Sequence, residues 1–149
     1  MIEVELEAEA WTKALPDVEA IVTRAATAAL GKAEGDVVIL LADDPTVQDL
    51  NARFRQKDKP TNVLSFPAAE SAFPHLGDVI LGYDYCAAEA VAQNKTLADH
   101  LSHLVVHGVL HLLGYDHIED DEAEEMEGEE RLILAGMGIA DPYAAEQQI

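Results

Sequence analysis

The chain has few cations and a single cysteine. Only 9 of its 149 residues are Lys or Arg, against 29 Asp or Glu, for a formal net charge of −20. That balance excludes generic, sequence-independent adhesion to nucleic acid. One cysteine, Cys86, cannot build a disulfide framework, which makes a reducing cytoplasm the default compartment. Apolar runs such as VVILLA, residues 37–42, fall far below the roughly 18 residues needed to span a bilayer. The start, MIEVELEAEA, is acidic and alternating, the opposite of a basic, apolar secretion signal. Internal repeats, Gly/Ser linkers and low-complexity stretches are absent as well. Residues 1–149 therefore read as one domain, long enough to bury roughly two-thirds of its unfolded surface.

The few cations that exist are not scattered. Arg53, Arg55, Lys57 and Lys59 fall within RFRQKDK, residues 53–59, whereas nine of the twelve residues at 119–130, EDDEAEEMEGEE, are acidic. The acidic run reads as a solvated helix face. The basic cluster reads as an exposed loop after a helix, or as a site for an anion.

Period-two alternation of Ile2, Val4 and Leu6 with glutamates predicts a strand with one buried face. A helical stripe from Val18 through Val22 and Ala25 to Leu30 follows, closed by Gly31. DVVILLA, Asp36–Ala42, is a buried strand. Asp44 and Pro45 supply an N-cap and a first-turn proline for a helix carrying Val47, Leu50 and Phe54. TNVLSF at 61–66 and GDVILG at 77–82 predict two more strands. Thr96, with Asp99 three residues on, opens a helix that Gly114 stops. A last helix runs from the acidic block through RLILAGMG, with Met126, Leu132, Ile133 and Leu134 available to pack. The order implies an α+β fold, a mixed sheet of about four strands covered by helices.

The chemistry concentrates in HGVLHLLGYDH, residues 107–117. Four positions apart on a helix, His107 and His111 differ by about 40° in direction and reach for one point. Gly114 then turns the chain so that His117 can supply a third imidazole. This is the spacing of a zinc-peptidase motif with Gly108 in place of the catalytic Glu. Three neutral imidazoles leave a divalent ion, zinc by this donor set, its full charge and one open position. Without a base at 108, peptide hydrolysis is disfavoured, and a small uncharged residue beside the ion suits an anionic phosphodiester. Asp116 reads equally as a ligand-orienting or a turn residue. His100 and His103 lie on the same side of the helix, as partners of the ligands or as ordinary core-edge histidines.

HGVLHLLGYDH, FRQKDKPTNVLSFP and LGDVIL, in that order along the chain, resemble the YbeY family of bacterial metal-dependent endoribonucleases. The resemblance implies zinc on His107, His111 and His117, a catalytic arginine at Arg55, and cytoplasmic cleavage of single-stranded RNA. Late maturation of the 3′ end of 16S rRNA and ribosome quality control would be its setting. Small-subunit rRNA or a ribosomal particle is the implied partner, with ribosomal proteins and a ribosome-associated GTPase beside it, and neither DNA nor membrane. Asn62 stands where the family usually carries Asp, which puts any role of that carboxylate in doubt. Read from the residues, Arg55 offers a planar fork to a phosphate, and Arg53, Lys57 and Lys59 are candidates to track the backbone. Two rival readings are a metal peptidase or amidase, and a non-catalytic zinc-containing ribosome-assembly factor.

Overall fold

The computed structural model describes residues 1–115 and 119–143. Its chain order is β1 (Ile2–Leu6), α1 (Glu9–Ala14), α2 (Val18–Leu30), β2 (Asp36–Ala42), α3 (Asp44–Arg55), β3 (Val63–Pro67), β4 (His75–Gly82), α4 (Tyr83–Ala92), α5 (Leu97–Leu112) and α6 (Asp120–Gly136). The sheet has four strands in the order β1-β2-β4-β3; β1, β2 and β4 run parallel and β3 is antiparallel to β4. The α+β class and mixed sheet expected from the sequence are what the chain forms.

Alternation along β2 divides the interior between two faces. Val37, Ile39 and Leu41 point with Val79 and Leu81 of β4 into the main core, under α2 and α5. Leu40 and Ala42 point the other way, with Leu64, Ile80 and Val47, beneath α3. The single tryptophan closes one end: Trp11 of α1 is fully buried, donates its indole N–H to Ala42 O at 2.9 Å and meets Tyr83 edge-on. Removing such an aromatic side chain typically costs about 3–5 kcal/mol.

Some local expectations need correcting. The N-cap of α3 is Asp43, not Asp44: its carboxylate accepts from Thr46 N at 2.9 Å, which places Pro45 inside the first turn. Hydrogen bonding from Thr46 lowers the Asp43 pKa. Phe54 and Leu132 do not join the core; they are 65% and 71% exposed, Phe54 with its ring edge-on to Phe66.

Helix α5 is buried on most sides and crosses the sheet at Gly108. A Cβ there would lie 2.7 Å from Val79 Cγ1 and 3.3 Å from Ser65 Oγ. Gly108 therefore faces the sheet, and the expectation that it leaves an uncharged space beside an ion is wrong. Its lack of a side chain lets the helix lie close to β3 and β4. Beyond Leu112 the helix ends, and Gly114 takes φ 101°, a conformation that favours glycine. A Glu at 108 would have to drive its carboxylate into Val79, whose β-branched side chain sits in the core. Gly108→Glu is accordingly expected to destabilise the protein by about 3 kcal/mol or more, despite a gain of up to about 1 kcal/mol in helix propensity. Urea unfolding would measure it, and a variant as stable as wild type would contradict this packing.

Candidate active site

The capping reading of α5 holds, with Thr96 Oγ1 accepting from Asp99 N at 3.1 Å. From that start the helix carries His103, His107 and His111 along one face. The ring centroids of His107 and His111 are 4.7 Å apart, and those of His103 and His107 6.4 Å apart. His117 and Asp116 lie outside the described residues. Among the described residues no group of three metal-ligating side chains gathers, so the structure brings together two of the three expected imidazoles.

One imidazole is held by a residue that the sequence reading assigned to solvent. Glu130 of α6 has no exposed surface, and its Oε1 accepts a hydrogen bond from His107 Nδ1 at 2.5 Å. Its other oxygen accepts from the Tyr143 hydroxyl and lies 3.5 Å from His103 Nε2. Burial by itself would raise the carboxyl pKa, but hydrogen bonds from His103 and His107, the charge of His107 and the Tyr143 hydroxyl outweigh it and bring it down to about 2. With a carboxylate oxygen as acceptor at Nδ1, a neutral His107 carries its proton on that nitrogen and its lone pair on Nε2. That donor arrangement fits a metal ion. The signal for Glu130 was its phase: with Met126 and Leu134 it makes the buried stripe of α6, an i, i+4, i+8 series inside an otherwise acidic run.

Opposite the histidines, α3 ends at Arg55 and Gln56 takes a left-handed conformation, φ 59°, which turns the basic loop back. The loop is anchored from beneath, where the buried amide of Asn51 donates to Lys59 O at 2.9 Å. Arg55 donates to Ser65 O at 2.7 Å and lies over the Phe66 ring at 5.7 Å. Ser65 in turn donates its hydroxyl to Gly108 O at 3.3 Å. One strand residue thus links the arginine to the histidine helix. Between them opens a cleft of about 580 Å³, lined by Arg55, Lys57, Lys59 and Asn62 on one side and His107 and His111 on the other. Arg53 does not line it; its guanidinium pairs with Asp49 at 3.1 Å on the exposed side of α3.

Asn62 has a structural explanation. Its amide oxygen accepts from Val63 N at 2.7 Å, and its amide N–H donates to Glu89 Oε1 at 3.0 Å. Glu89 also takes a hydrogen bond from His100 Nε2 at 2.6 Å. His100 is buried, which lowers its pKa against the opposing pull of Glu89. An Asp at 62 would set two carboxylates against each other, whereas the amide supplies the donor that Glu89 needs.

The family model described as Endoribonuclease YbeY matches residues 3–138. The chain is 54% identical to the Endoribonuclease YbeY of Paramagnetospirillum magneticum, covering 97% of this chain and 96% of the relative. It is also 54% identical to that of Azorhizobium caulinodans, over 96% of each. Among solved structures, a solution structure of a Thermotoga maritima protein matches with a TM-score of 0.58 at 27% identity, covering 92% of this chain and 91% of that one. With a family match that runs nearly end to end and full-length relatives identical at about every second residue, the chain belongs to the YbeY endoribonuclease family.

Proposed function

We propose that this protein is a zinc-dependent, single-strand-specific endoribonuclease that matures the 3′ end of small-subunit rRNA. The observation that carries the reading is the cleft, which sets two imidazoles of the histidine motif opposite an anchored arginine and two lysines on a chain of net charge −20. His107, His111 and His117 would hold the ion. When bound, zinc would act as a Lewis acid on the phosphoryl oxygens.

The chain's own residues account for the rest. Arg55 keeps one N–H on Ser65 O and turns its remaining donors to a phosphate, where a fixed guanidinium stabilises charge that grows as the bond breaks. Lys57 and Lys59 neutralise neighbouring phosphates. A duplex is broad and rigid, whereas a single strand can thread a cleft of this size past cations on one wall only. The acidic remainder of the surface opposes non-specific RNA, which favours a substrate presented within a ribosomal particle. Ribosomal proteins and a ribosome-associated GTPase are the partners this setting implies. No described helix is long and apolar enough to cross a membrane; a cytoplasmic location accords with the buried, unpaired Cys86.

The rival readings find no support. Gly108 faces Val79, so the peptidase base is missing for a packing reason, and the relatives carry the name of an endoribonuclease, not of an assembly factor.

On rRNA precursor, Arg55→Ala is expected to keep its zinc and to cleave at least about 100-fold more slowly than wild type; wild-type turnover with full zinc would contradict the arginine's role. With three cations on phosphates, the affinity of the cleft for single-stranded RNA should fall with salt at a log–log slope of about −2. Titrations at several salt concentrations measure it, and a slope near zero would remove the electrostatic reading of the loop.

A further inference from the structure

Helix α6 is acidic almost throughout, and its carboxylates are expected to face water. Glu130 does not: it has no exposed surface, and it shares its buried stripe with Met126 and Leu134. An apolar residue at 130 would continue that stripe and avoid taking a charge out of water, an exchange that is often neutral or favourable for stability. The charge is instead engaged at both oxygens, one by His107 Nδ1 at 2.5 Å and the other by the Tyr143 hydroxyl, with His103 Nε2 at 3.5 Å.

We infer that Glu130 is a positioning residue for the metal centre, fixing the tautomer and orientation of His107 so that Nε2 meets the ion, with Tyr143 holding the far oxygen of the carboxylate in place. This rests on the proposal that His107 is a metal ligand. The physical reason is direct. A neutral imidazole exchanges its proton between two nitrogens, and only the form protonated on Nδ1 offers Nε2 to a cation. A buried anion on Nδ1 selects that form before the metal arrives, stops rotation of the ring, and makes Nε2 a stronger donor. Tyr143 lies just beyond α6, where its backbone N–H donates to Asp141 at 2.8 Å and Arg131 covers its ring at 5.2 Å. The chain after α6 is thereby fastened to the same carboxylate.

The test measures zinc affinity by competition with a chromophoric chelator for wild type, Glu130→Gln and Glu130→Leu, alongside urea unfolding of each metal-free protein. Affinity is expected to fall about 10- to 100-fold in both variants, while the folded fraction at assay conditions stays complete. In metal-free wild type, nitrogen-15 NMR of the His107 ring should find the proton on Nδ1. Zinc affinity within twofold of wild type in the folded variants overturns the inference alone. So does a His107 proton on Nε2, a result that needs no variant to fold. Wild type that binds no zinc removes the proposed metal site and this inference with it.

Discussion

Helix α5 meets the sheet at Gly108, where any side chain would collide with Val79 and press on Ser65. Close approach at that one position places the neighbouring turns. His107 and His111, rotated away from the strand contact, come out at the rim of the cleft rather than inside the core. Ser65 then connects the two walls, binding Gly108 O through its hydroxyl and Arg55 through its carbonyl. A bulkier residue at 108 would lift the helix, lengthen both contacts and separate the arginine from the histidines. The missing peptidase glutamate is thus a condition for the geometry of the cleft.

Charge is used in two opposite ways. The excess of carboxylates, most of them at the surface, gives the molecule its net −20 and opposes polyanions over most of that surface. In the cleft, Arg55, Lys57 and Lys59 reverse that sign over a short distance, and on the proposed function this local potential rather than the total charge would decide where a phosphate rests. Glu130 belongs to neither set. Its negative charge is sealed inside, where it accepts from His107 and Tyr143 with His103 beside it, and low dielectric strengthens each contact. Glu89, which is only partly buried, takes hydrogen bonds from His100 and from Asn62, a residue that lines the cleft.

The elements with clean periodicity were legible in the sequence because burial was all they had to encode. The stripe of α2 and the cap of α5 fell where the pattern put them. Features that depend on a distant partner were harder to read. Nothing near Gly108 in the chain announces Val79, and an Asp and a Pro do not by themselves say whether Asp43 or Asp44 is the cap. The short helix α1 had no pattern beyond Trp11, whose role comes from Ala42 O and Tyr83. At the site, His107 and His111 could be picked out from spacing and the basic cluster from residue type, but residue type alone did not separate Arg55 from Arg53, which lies off the cleft. Glu130 could not be picked out, since its run of acids looks solvated unless the i, i+4 phase with Met126 and Leu134 is noticed. Asn62 read as a departure from the family's Asp, and its role stayed hidden because its partner, Glu89, is 27 residues away.

The proposed function requires the histidine motif to hold an ion at the wall of the cleft that faces Arg55. Diffraction from zinc-loaded crystals on the two sides of the zinc absorption edge tests it most directly. One anomalous peak is expected about 2.0–2.1 Å from Nε2 of both His107 and His111, with His117 as the third protein ligand and the fourth position open to the cleft. A zinc peak bound through Nδ1 of His107, closed by four protein ligands, or lying away from this cleft would contradict it.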